Sequence, residues 1–181
     1  MKCPICARDL AAASREGIEV DECPGCGGAW FQREELRRAK DSADEDLRWL
    51  DFDPFSDDES FAVGSGERAC PECSGPMESR TYMSSGVVIE ACSQDHGVWL
   101  DSGEFEKIVE HLETLVVTID AREYRRRALE ELREVVTGPE GRFSELKDFL
   151  TAVRLLQYRL AVEHPGAAEA AQAVGELSRR L

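Results

Sequence analysis

Seven cysteines and three histidines are the residues of this 181-residue chain best suited to hold a metal, and their spacing is ordered. Cys3 and Cys6 lie in CPIC, Cys23 and Cys26 in CPGC, Cys70 and Cys73 in CPEC, and Cys92 is followed by His96 in CSQDH. Two cysteines separated by two residues fit a tight turn that brings both sulfurs to one side, forming half of a tetrahedron. A second turn supplies the other half, and zinc closes the loop between them. Sixteen residues separate the first two pairs, and eighteen separate the last two. Cys3, Cys6, Cys23 and Cys26 are therefore expected to hold one Zn2+, and Cys70, Cys73, Cys92 and His96 a second. Asp95 stands at the position that matches Cys26. His96 is preferred as the fourth ligand because neutral imidazole is a far commoner partner of three thiolates than a carboxylate, and Asp95 could orient the ring instead.

The two sets are halves of a repeat. DECPGCGGAWFQREEL, residues 21–36, returns as EACSQDHGVWLDSGEF, residues 90–105, at a constant offset of 69. Trp30 matches Trp99, Gly28 matches Gly97, and Glu35 matches Glu104. The upstream pairs are offset by 67, so the second copy has a connecting loop two residues longer. A unit of this size buries too little apolar surface to fold without a staple. Disulfides are a poor candidate, because the cysteine count is odd and no basic, apolar leader precedes Cys3. A reducing compartment, the cytoplasm, is expected. With four candidate ligands each, both sites read as structural rather than catalytic, since a catalytic zinc keeps a position open for water. No nucleophile lies beside a base in a recognisable arrangement; His111 falls in a helical stretch and His164 just before Pro165. A thiol-redox or zinc-dependent enzyme is the weakest reading.

These motifs resemble the small bacterial zinc ribbons grouped as transcription-factor-IIB-type zinc fingers. In that family a C-P-x-C pair precedes a second knuckle, then a glycine-rich step, W-L-D and G-E-L. HGVWLDSGEF follows the pattern closely, whereas FQRE stands in the first copy where LDSG would be. Any role of Asp101 and Gly103 is therefore not shared by Gln32 and Glu34. The resemblance covers roughly residues 1–109 and implies a zinc-ribbon fold with zinc on the matched cysteines and histidine. It says little of activity, because a fold does not fix a function; RNA polymerase as a partner rests on resemblance only.

The remaining sequence must position these sites. Gly17–Glu22 and Gly86–Cys92 read as returning strands, the first with Ile18 and Val20 alternating. Pro4, Pro24 and Pro71 fix φ where the turns begin. The tryptophans are expected to plug the small core and shield the metal from water rather than stand exposed as anchors. Asp101 and Glu104 form a capping-box pair, the aspartate accepting from the first-turn amides, before Phe105, Ile108, Leu112 and Leu115 recur at helical spacing. The first copy offers about two helical turns over Glu34–Lys40.

The fold class expected is α+β: two zinc ribbons, each a short hairpin with zinc knuckles, followed by a helical region. Its divisions are residues 1–40 for ribbon 1, 41–67 for an acidic linker, 68–109 for ribbon 2, and 110–181 for a helical bundle or oligomerisation region. The linker holds ten acids and one base, Arg48, yet also Leu47, Trp49, Leu50, Phe52 and Phe55. Such a composition either folds back over the protein's own elements or docks a partner. Beyond Asp120 the apolar stripes Ala121–Val135, Phe143–Leu160 (with Leu146, Leu150 and Val153) and Ala167–Leu181 are each too narrow to stand alone, which implies a bundle or a homo-oligomer. Arg122, Arg125, Arg126 and Arg127 could grip phosphates, but Glu123, Glu130 and Glu131 pair with them at i,i+4. A net charge of −15 opposes phosphate contact, and no run of eighteen uncharged apolar residues suggests a membrane span. The expected function is a zinc-binding adaptor that engages another protein, its link to transcription resting on the resemblance only, with a nucleic-acid-binding ribbon as the alternative.

Overall fold

The computed structural model describes residues 1–48, 50, 52–56, 59–119, 126 and 150–159. The chain separates into two compact units, Met1–Thr114 and Leu115–Leu181. The first unit is built on one antiparallel sheet of seven strands in the order β1-β2-β3-β7-β6-β5-β4. The strands are β1 Ala11–Arg15, β2 Ile18–Glu22, β3 Ala29–Gln32, β4 Ala62–Ala69, β5 Pro76–Thr81, β6 Val88–Cys92 and β7 Gly97–Leu100. Helix α1 spans Glu35–Ala43 and α2 spans Glu104–Thr118. The architecture is α+β.

The repeat explains the strand order. Each copy contributes a hairpin, then a third strand that follows its second knuckle, then a helix. The third strands, β3 and β7, pair with each other in the register Ala29↔Leu100, Trp30↔Trp99, Phe31↔Val98 and Gln32↔Gly97. Trp30 and Trp99 are repeat equivalents, so the two copies meet about a local two-fold axis and each caps the other's exposed strand edge. Across the sheet, Trp30 also faces Asp21 and Trp99 faces Glu90, which are again equivalents.

Strand residues alternate between faces, so Trp30 and Trp99 share one face while Phe31 and its neighbours share the other. On the second face the Phe31 ring stacks on Phe105 of α2, with centroids 5.7 Å apart. Phe105, Ile108 and Leu112 are the buried stripe of α2. Helix α1 buries Leu36, Ala39 and Lys40. Both helices begin alike: Gln32 N–H donates to Glu35 at 2.9 Å, and Asp101 N–H donates to Glu104 at 2.7 Å. Only half of the expected capping box forms in the second copy, because the Asp101 carboxylate is committed elsewhere.

The acidic segment folds back on the unit along part of its length. The buried Lys40 ammonium donates to the carbonyls of Leu47 and Leu50, at 2.8 and 2.9 Å, and lies 2.9 Å from Asp41. Leu47 and Leu50 are fully buried. Phe52 packs on Tyr82 and edge-on to Phe61, and Arg33 lies over the Phe55 ring. Trp49 is outside the described residues. Residues 62–69 form the extra strand β4 on the outer side of β5, with two register shifts that accommodate its glycines.

In the second unit, the described residues 150–159 are helical. Ala152 and Leu155 are buried while Leu150 is exposed, so the buried face differs from the Leu150–Val153 stripe expected from the sequence. The stripes at 121–135 and 167–181, the i,i+4 pairs of the arginine cluster and His164 fall outside the described residues.

Candidate metal centres

Four turns supply the donors. Three follow one pattern: the residue after the second cysteine, Ala7, Gly27 or Ser74, has positive φ and returns its N–H to the carbonyl of the first cysteine at 2.9–3.0 Å. The fourth turn is tighter. Asp95 takes the positive φ, and its N–H reaches the Cys92 carbonyl one residue sooner. That change removes the cysteine position, and the longer side chain of His96 supplies the missing donor.

The side chains converge as two groups, Cys3, Cys6, Cys23 and Cys26 in site 1 and Cys70, Cys73, Cys92 and His96 in site 2. Within each, all ligand atoms lie within 4.8 Å of one another. A zinc tetrahedron with bonds of about 2.3 Å to sulfur has edges of about 3.8 Å between sulfurs. Cys3–Cys26 and Cys6–Cys23 are separated by 3.5 and 3.4 Å, Cys73–Cys92 by 3.7 Å, and Cys92 Sγ lies 3.4 Å from His96 Nδ1. The donor set, count and spacing fit one zinc at each site. No disulfide links any of the seven cysteines.

Backbone amides support the sulfurs. Ile5, Gly25, Glu72, Gly75 and Gln94 each donate an N–H to the sulfur two residues before, at 3.4 Å. Bonds from the Cys26 and Gly25 amides bring the Cys23 thiol down to about 6, and the Gly75 amide brings Cys73 down to about 7. Burial works the other way at Cys70, pushing its thiol up to about 12. Without a cation, neighbouring thiols cannot all ionise; a divalent ion at the centre removes that conflict.

Both tryptophans are fully buried, as expected of plugs, and join Cys3, Cys23, Cys70, Cys92 and Met77 in one apolar cluster. Their polar edges differ. Trp99 Nε1 donates to Asp101 at 2.8 Å, and Arg68 grips the same carboxylate with two nitrogens at 2.7 and 3.0 Å. Burial would raise the Asp101 carboxyl, but the Arg68 and Trp99 bonds outweigh it and hold the group below its ordinary value. Glu90 also binds Arg68 at 2.7 Å, yet burial leaves its own carboxyl raised. In the first copy Gln32 replaces Asp101, and buried Trp30 Nε1 has no hydrogen-bond partner among the described residues. The departure of FQRE from LDSG thus has a physical consequence.

Asp95 does not enter site 2. Its carboxylate faces Arg33 at 3.8 Å and is about half exposed. His111, on α2, meets the Ser84 hydroxyl at 3.2 Å. Arg68 and Lys40 are the supporting residues that the sequence did not single out. Each was a base in or beside a strongly acidic stretch, which was the available signal.

Residues 2–42 and 69–111 each match the family model described as transcription factor zinc-finger, a zinc ribbon of the transcription-factor-IIB type. No curated protein and no solved structure matches the chain significantly. The two matched stretches contain all eight metal donors, and they are two tandem zinc-ribbon domains of the transcription factor zinc-finger family.

Proposed function

We propose that this protein is an adaptor that engages another protein, with two zincs that hold its recognition unit in shape. The observation that carries this reading is closure of both sites: each already has four protein donors, so a bound zinc has no position left for water or substrate. Zinc in such a site folds the module and does not activate a nucleophile.

Charge supports a protein partner over nucleic acid. Residues 1–114 hold 26 acids and 11 bases, whereas residues 115–181 hold 11 of each. The whole net charge therefore resides in the ribbon unit. Zinc with four thiolates adds about −2, and zinc with three thiolates and one imidazole about −1. Phosphates would be repelled by this unit, and a basic partner would be drawn to it. Among the described residues no helix is long and apolar enough to cross a membrane. The family name suggests a partner in the transcription machinery, RNA polymerase among them, and the cytoplasm is the compartment consistent with free thiols.

The test is capture of the tagged, zinc-loaded full chain from native lysate, with and without nuclease, read by mass spectrometry. A stoichiometric protein that survives nuclease and high-affinity competitor DNA supports the adaptor. Partners that disappear with nuclease would replace it with nucleic-acid binding.

A further inference from the structure

We propose that Trp30 and Trp99 each cover the other copy's zinc knuckle, so that the two metal sites fill and empty as a coupled pair. The repeat alone suggests that each tryptophan shields its own site. The pairing of β3 with β7 exchanges them. Gly28 lies two residues after Cys26 of site 1, and a Cβ built there would collide with Cζ2 of Trp99, while Cε2 of the same ring lies at 2.9 Å. Gly97 directly follows His96 of site 2, and a Cβ there would meet Trp30 Cζ2 at 2.8 Å and collide with the Phe31 carbonyl. Each glycine is therefore the seat of the opposite ring, which explains why the step before A-W and V-W contains glycine in both copies.

Two further contacts cross the same boundary. Arg33 N–H, in the first copy, donates to the carbonyl of the ligand His96 at 3.0 Å. On the other side, Ser102 Oγ lies 3.0 Å from where a Cβ on Gly27 would be, directly after the ligand Cys26. Filling site 1 fixes Cys26 to Gly28 and hence the start of β3. Strand β3 then presents Trp30 and the Arg33 amide to the turn that carries His96. The same steps run in reverse from site 2. Cysteines from both sites share one buried cluster with the two rings, so emptying one site exposes part of the other's cover. Positive coupling follows, because ordering paid for by the first zinc need not be paid again for the second.

The test uses full-length, reduced protein and zinc itself. Half-saturated protein is sorted by native mass spectrometry into chains with no, one or two zincs. Independent sites leave about half of the chains or more with a single zinc, whatever their separate affinities, whereas coupling on the order of ten- to hundredfold between matched sites lowers this to about a quarter or a tenth. His96→Ala, which disables site 2, is expected to weaken zinc retention at Cys3, Cys6, Cys23 and Cys26 by on the order of tenfold or more in competition with a chromophoric chelator. Trp30→Val keeps all eight ligands and is expected to raise the single-zinc fraction. Wild-type retention at site 1 in the His96→Ala protein would overturn the proposal, as would a single-zinc fraction unchanged by Trp30→Val.

Discussion

Replacing Asp101 with alanine separates the two copies energetically. Asp101 accepts the indole N–H of Trp99 and both nitrogens of the Arg68 fork. The substitution leaves a fully buried Nε1 without an acceptor, which costs about 1–3 kcal/mol. Loss of the Arg68 pair adds about 1 kcal/mol at most, because Asp101 is 40% exposed and Arg68 keeps Glu90. The total expected is about 1–4 kcal/mol. Gln32→Ala is the matched control: Gln32 is exposed and Trp30 Nε1 already lacks a partner among the described residues, so the cost should stay within about 0.5 kcal/mol. The assay is urea unfolding of the zinc-loaded full chain at fixed free zinc, followed by tryptophan fluorescence.

The pH dependence follows from the depressed Asp101 carboxyl. Its folded value lies below the unfolded one, so its stabilisation is complete above the ordinary carboxylate range and is lost only as pH falls through the lower folded value. The difference between wild type and Asp101→Ala should therefore be flat from about pH 6 to 8. Equal costs for Asp101→Ala and Gln32→Ala would refute the reasoning, and so would a difference that varies across that range.

Other expectations concern separate parts of the unit. Lys40→Ala strips donors from the Leu47 and Leu50 carbonyls and leaves Asp41 beside a vacated space; it should cost about 2–4 kcal/mol and speed amide exchange across residues 44–56. Unchanged exchange there would mean that Lys40 does not hold the segment down. Asp95→Asn should leave zinc affinity at site 2 within about threefold, whereas His96→Ala should lower it by well over tenfold; similar losses would show that the ligand is misassigned. Chelation removes on the order of 10–16 kcal/mol of apparent folding energy per site and should unfold the ribbon unit while sparing the circular dichroism signal of the second unit's described helix, residues 150–159. Retention of buried-tryptophan fluorescence in excess chelator would contradict a metal-stapled fold.

The metal sites were legible because ligand chemistry is local. A C-x2-C turn carries its own geometry, and the offset of 69 between Trp30 and Trp99 repeats it. Strand β2 and the stripe of Phe105, Ile108 and Leu112 were legible for the same reason, as alternation and helical spacing are short-range signals. The joining of two ribbons into one sheet was not, because the register Trp30↔Trp99 is a long-range choice that no local pattern states. Strand β4 was hidden in a segment whose acids, glycines and serines read as linker. Asp101 and Glu104 have the spacing of a capping box, but spacing says nothing of tertiary contacts, and Arg68 and Trp99 claim the Asp101 carboxylate instead. Phe52 and Phe55 were open to docking or folding back, and their contacts with Tyr82 and Arg33 now give them a place within the unit.

Zinc X-ray absorption on the purified full chain, paired with metal quantification, tests the central claim most directly. Two closed structural sites require two zincs per chain, with seven sulfurs at about 2.3 Å and one nitrogen at about 2.0–2.1 Å shared between them. A light-atom shell larger than that single nitrogen, or one zinc per chain, would mean an open or absent site and would contradict the account.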